Sequence, residues 1–201
     1  MTIQLPAETL KADAARRQLG TALKLFLDSL DPVSVHALAA GGGEVASRLA
    51  DKSGARPWVV RSLEVHPELD RGRYLEIRNQ RWNALKHATQ RDGKDRDDEA
   101  LLNQPMSTDN EALLVSGWFD LAEAGIPLPI EVQVFFLWYL AKNPLVDEEA
   151  NQIARETFPR IFEMTYDDQK RALREKIEWA RTQMSALDPE NTDHRPLILP
   201  E

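Results

Sequence analysis

The chain has 201 residues, 42% of them apolar and 29% charged, with a formal net charge of −8 and no cysteine. A chain of this length can bury roughly 70% of the surface its unfolded form exposes, so it needs neither metal nor disulfide to fold. The missing cysteine excludes disulfide frameworks, thiolate metal sites and cysteine nucleophiles, and the acidic balance argues against broad, non-specific binding to nucleic acid or anionic lipid.

The first residues, Met1 to Pro6, lack a basic region followed by an apolar core, so no signal peptide is expected. The longest apolar run, Val134 to Ala141, is eight residues. A membrane span needs about 20, so the expected setting is cytoplasmic, with no membrane partner.

In chain order, residues 8–30 carry Leu19, Ala22, Leu23, Phe26, Leu27 and Leu30 at helical spacing. Asp31 and Pro32 suit the N-cap and first position of a second helix that runs to about Lys52. Its apolar face holds Val35, Leu38, Ala39, Gly42, Val45, Ala46 and Leu49. Gly41, Gly42 and Gly43 sit in its middle, so either another helix approaches closely there or the helix breaks.

Residues 53–70, with Gly54, Pro57 and Pro67, read as irregular. A third helix is expected over Arg71 to Gln90, followed by a mixed-charge loop from Asp92 to Glu99. Thr108 and Glu111 resemble a capping box before a fourth helix carrying Leu114, Trp118, Leu121 and Ala122. After the turn at Gly125 to Pro129, the segment Ile130 to Ala141 is apolar nearly all round and reads as a buried helix. Its β-branched and aromatic content leaves a strand as the alternative. Helices over 147–157 and 167–187 follow, the last with Leu173, Ile177, Ala180, Met184 and Leu187 as its stripe. The fold class is therefore all-α, a bundle of about six to seven helices with an up-down core and C-terminal helices. One domain covers 1–187, and 188–201 forms an extended or disordered tail.

The third helix holds the candidate chemistry. Arg71, Arg73, Arg78, Arg81, Lys86 and Arg91 face only Glu76, a local balance of +5 on a chain of −8. Such an island is where an anionic ligand or acidic partner would dock, unless it neutralises carboxylates of its own fold. At 100° per residue, Tyr74, Ile77, Leu85 and Ala88 centre an apolar face, with Arg78 and Arg81 on the same side. A buried unpaired charge is too costly to keep, so each of these arginines needs a carboxylate, an aromatic face, a ligand or water. Glu76, Gln80, Asn83 and His87 line up opposite, either as a ligand-facing row or as a solvated face. His36 sits at the edge of the second helix's apolar face. If the second and third helices pack antiparallel, His36 and His87 approach each other. No metal-binding spacing supports a site there, and neither metal nor cofactor is expected.

Two stretches, Asp31-Pro32-Val33-Ser34-Val35-His36 and Asn83-Ala84-Leu85-Lys86-His87-Ala88, resemble motifs of an uncharacterised family of bacterial helical proteins. The likeness extends loosely over 12–145 and implies architecture rather than activity. A more distant resemblance is to HEPN proteins, small all-α and often dimeric domains, many of them ribonucleases of toxin–antitoxin and defence systems. Their signature is Arg, four to six residues, then His, which Arg81 and His87 match. That resemblance implies metal-independent RNA cleavage, with His87 as general acid or base and Arg81 stabilising charge on the phosphate. On an unbroken helix the two lie about 120° apart, so joint action needs a distorted helix or a dimer mate.

Two functions follow. The first is binding of a partner or small anionic ligand through His36, Arg78, Gln80, Asn83 and Lys86, in a chain expected to form a homodimer. The second is the HEPN-like ribonuclease or defence-associated protein. Of the five tryptophans, Trp82, Trp118 and Trp138 are expected in the core. Trp58 and Trp179 are the candidate exposed anchors. Trp179 lies off its helix's stripe, toward a dimer interface or the main body.

Overall fold

The computed structural model describes residues 7–89, 92–144, 147–183 and 192–200. Arg91, Met184, Leu187 and the Asp188-Pro189 stop lie outside them. The described residues form nine α-helices, a short 3₁₀ turn and one two-stranded sheet of two residues per strand. The all-α class stands, with more helices than the sequence pattern resolves. None of the helices is long and apolar enough to cross a membrane, among the described residues. Where the sequence suggests a single domain, the contacts group into two compact units, 1–126 and 127–201.

In the first unit, α1 (Ala7–Leu27) and α2 (Pro32–Ser53) form a hairpin. Leu19, Ala22, Leu23, Phe26 and Leu27 are buried as the spacing requires. Leu30 is not: it lies past the end of α1 in the turn and is half exposed. Asp31 caps α2, its carboxylate accepting from the Val33 and Ser34 N–H groups at 3.2 and 3.0 Å. Pro32 has no N–H, so two of the three orphan donors of this helix start are thereby satisfied.

The triple glycine does not break α2. A Cβ on Gly42 would meet Leu19 Cγ at 2.9 Å and the Ala15 carbonyl at 3.2 Å, so α1 packs against bare backbone. Gly43 faces Gly117 of α6 (Ser107–Glu123). The pairs His36 with Asn110, Gly43 with Gly117 and Ser47 with Asp120 advance together, so α2 and α6 run parallel, while α1 is antiparallel to α2. Helix α6 is buried on nearly every side and forms the unit's centre.

Parallel neighbours need a long connection, and residues 54–106 supply it. The stretch read as irregular contains α3 (Trp58–Val65). Pro57 does not disrupt it because it sits at the N-cap, outside the hydrogen-bonded turns. Helix α4 (Arg71–Lys86) is shorter than expected, ending at His87 in extended backbone rather than at Gln90. The chain then turns back through a Thr89–Asp95 bridge to the single-turn α5 (Glu99–Leu102). The expected capping box at Thr108 and Glu111 does not form. The N-cap of α6 is Met106, without a side-chain bond, and Glu111 is buried inside the helix.

In the second unit, Ile130–Lys142 is a helix, α7, so the strand alternative falls. Trp138 is fully buried, stacked 5.8 Å from Phe135, and donates from Nε1 to the Gln169 carbonyl at 3.0 Å. Glu131, also buried, is held by Arg181 at 2.6 Å. Helices α8 (Glu148–Thr157) and α9 (Tyr166–Thr182) pack on α7, with Leu173, Ile177 and Ala180 buried. Thr192–Asp193 of the tail pairs in parallel with Leu128–Pro129, and Leu197 is buried.

Candidate functional site

Arg81 is the only residue of α4 classed as buried, at 4% exposure. The wheel places it on the inward side, and the structure shows how that charge is kept there. Its Nε donates to Asp109 of α6 at 2.8 Å, and its Nη1 donates to the carbonyls of Leu101 and Gln104 at 2.7 and 3.3 Å. Those carbonyls lie at the end of α5, and the Leu101 carbonyl also accepts from the Gln104 N–H at 3.2 Å. Arg81 thus ties α4 to the α5–α6 connection.

Beside it lies a depression of about 370 Å³. Trp58, Tyr74, Ile77, Leu101 and Leu113 give it apolar walls, and His36, Arg78, Gln80, Arg81, Gln104 and Asp109 bring polar groups. Trp58 is half-buried, edge-on to Phe119 at 5.3 Å, and its N–H donates to Asp120 Oδ1 at 2.6 Å. The Asp120 carboxylate therefore serves the first turn of α3. Burial pushes its pKa up to about 6, against the stabilising pull of Trp58 N–H, the Ser47 hydroxyl and the Arg78 charge.

His36 is 1% exposed, buried rather than at an edge. Asn110 Nδ2 donates to the Pro32 carbonyl at 3.0 Å, which sets the orientation of the amide. Asn110 Oδ1 then faces His36 Nδ1 at 2.9 Å as an acceptor. The His36 proton therefore sits on Nδ1, and Nε2 is a lone-pair acceptor. Nε2 has no hydrogen-bond partner among the described residues. Burial also pushes the imidazole below its ordinary pKa, so the ring is neutral at pH 7.

The basic island is largely matched from within. Arg71 pairs with Asp51 at 3.1 Å, Arg73 with Glu76 at 2.7 Å and Arg81 with Asp109. Arg78 differs: its Nε donates to Asn79 Oδ1 at 3.0 Å, and its terminal nitrogens have no hydrogen-bond partner among the described residues. Of the residues expected to bind, the depression gathers His36, Arg78, Gln80 and Arg81. Asn83, Lys86 and His87 are not in its lining. Lys86 lies 5.2 Å from the half-buried Trp82 ring, and His87 is exposed at the helix end. Ile77, at the centre of the helix's apolar face by its spacing, lines the depression and is half exposed. Among the described residues no cluster of three or more His, Asp and Glu could hold a metal.

Asp109 and Asn110 were not legible as site residues, and Trp58 was legible only as an exposed anchor for a partner. Each depends on the parallel register of α2 and α6 or on the unforeseen α3, and neither leaves a local sequence signal. No family model, curated protein or solved structure matches the chain at a significant level.

Proposed function

We propose that this protein is a helical binding module whose 1–126 unit takes up a small anionic molecule in the depression beside α4. The observation that carries this is Arg78, a guanidinium with free terminal nitrogens at the wall of a partly apolar depression, where every neighbouring arginine on the helix is paired. A guanidinium fork is suited to a carboxylate or phosphate, and concave, mostly apolar sites with a few polar groups are where small ligands bind.

In the same reading the protein is cytoplasmic and forms a homodimer. The support for the dimer is Trp179, 58% exposed, which lines a surface groove with Met164, itself 38% exposed.

Calorimetric titration with acetate, benzoate and inorganic phosphate tests the anion site. At least one should bind saturably, and Arg78→Ala should weaken it about tenfold or more. A flat response to all three overturns the proposal. Cleavage of a mixed RNA pool that disappears in a folded His87→Ala protein would instead favour the HEPN-like ribonuclease or a toxin-like role.

A further inference from the structure

The depression specifies more than a negative charge, and this inference rests on the anion-site reading above. We infer that its ligand is a small monocarboxylate carrying a hydroxyl or amino donor, the carboxylate on Arg78 and the donor on His36 Nε2. The first half follows from charge. Arg81 is matched by Asp109 in direct contact, whereas Arg78 has no carboxylate at hydrogen-bond distance and meets the Asp120 charge only across space. One cation near a buried acid suits a monoanion better than a phosphate dianion. A planar carboxylate also accepts two parallel bonds from the two terminal guanidinium nitrogens.

The second half follows from His36. Its Nδ1 edge is turned to Asn110, which does not line the depression, while His36 does. Nε2 at the opposite edge is an acceptor without a partner. A buried acceptor left unpaired costs free energy that a ligand donor recovers, whereas a second acceptor would repel it. Because Asn110 Nδ2 is committed to the Pro32 carbonyl, the amide cannot flip to offer Nδ1 a donor without losing that bond. The acceptor state of Nε2 is thus set by the α2–α6 pairing rather than by the ligand. The apolar walls, Trp58, Tyr74 and Leu113 among them, would enclose a flat or branched hydrocarbon body.

Benzoate, 3-hydroxybenzoate and 4-hydroxybenzoate are the probes, each titrated into the full chain. At least one hydroxylated isomer should bind about tenfold tighter than benzoate, and His36→Phe should shrink that gap to about twofold. Equal binding of all three in the wild-type protein overturns the donor assignment and leaves the anion site standing. Binding of none overturns this inference, and the anion site falls with it only where acetate and inorganic phosphate are silent as well. If His36→Phe does not fold, two-bond ¹H–¹⁵N correlation spectra of the wild-type histidines decide. His36 should show a protonated Nδ1 and an unprotonated Nε2 at pH 7, with the Nε2 resonance moving on addition of the tighter isomer. A protonated Nε2, or an Nε2 resonance indifferent to that isomer, overturns the inference.

Discussion

Arg81 and Asp120 show two ways in which the first unit tolerates charge in its interior. Arg81 makes three hydrogen bonds to groups that would otherwise face each other across the α4–α5–α6 junction. Arg81→Ala should therefore cost about 2–4 kcal/mol in urea unfolding, the range for losing a buried charged side chain that makes several hydrogen bonds. A loss under about 0.5 kcal/mol would mean the bonds are incidental. Asp120 behaves oppositely. Its pKa of about 6 lies above the ordinary 3.8, so the folded state holds the proton more tightly than the unfolded one. The stability this group contributes is full below about pH 4 and is lost as pH rises through 6. Wild type minus Asp120→Asn should thus become more favourable as pH falls from 7 to 4, by about 1–3 kcal/mol. Denaturation midpoints of both proteins across that range measure it, and a difference constant with pH would contradict the raised pKa.

Among the elements, the helix contacts depend on glycine to different degrees. A Cβ on Gly117 would come within 2.7 Å of Leu19 Cδ2 and 3.2 Å of Gly43 Cα, whereas one on Gly43 meets Gly117 Cα at 3.6 Å. Gly117→Ala should destabilise by about 1–3 kcal/mol through overpacking. Gly43→Ala should be neutral or stabilising by up to about 1 kcal/mol through helix propensity. Thermal unfolding of the two single variants separates these outcomes, and equal effects would contradict the spacing. Local pattern was informative where helices bury one stripe, as in α1 and α9, and at the Asp31-Pro32 start of α2. It failed at α3, where Pro57 and Gly54 outweigh an eight-residue helix whose only classed-buried residue is Val59. It also failed at the end of α4, which has no glycine or proline to mark the stop at His87. The glycine triplet was read correctly as one of two possibilities, but choosing between them required knowing which helix lay opposite.

For the whole molecule, the turn at Gly125 to Pro129 was legible and its consequence was not. The boundary between the two compact units falls there, at 126 and 127. Nothing in composition changes across it, because both units bury ordinary apolar stripes. The candidate site was visible only in part: the residues on α2 and α4 could be named, but their partners from α3, α5 and α6 come from the tertiary register. The dimer expectation belongs at this scale. Trp179 is 58% exposed, with Lys176 Nζ 4.8 Å from the ring centroid. Trp179→Ser should then leave stability within about 0.5 kcal/mol while shifting sedimentation mass from two chains to one. An unchanged two-chain mass would place the interface elsewhere.

The parallel alignment of α2 with α6 has a kinetic corollary. The α1–α2 hairpin closes over a four-residue turn and can form early, but α6 must return across the 53 residues from Gly54 to Met106 before Asn110 meets His36. Closing so long a loop is slow, since its entropy is lost before its contacts are made. The histidine acquires its tautomer at that late step, so in refolding experiments the signal of Trp58 against Phe119 and any capacity to bind benzoate should emerge together, after most of the helical ellipticity has returned.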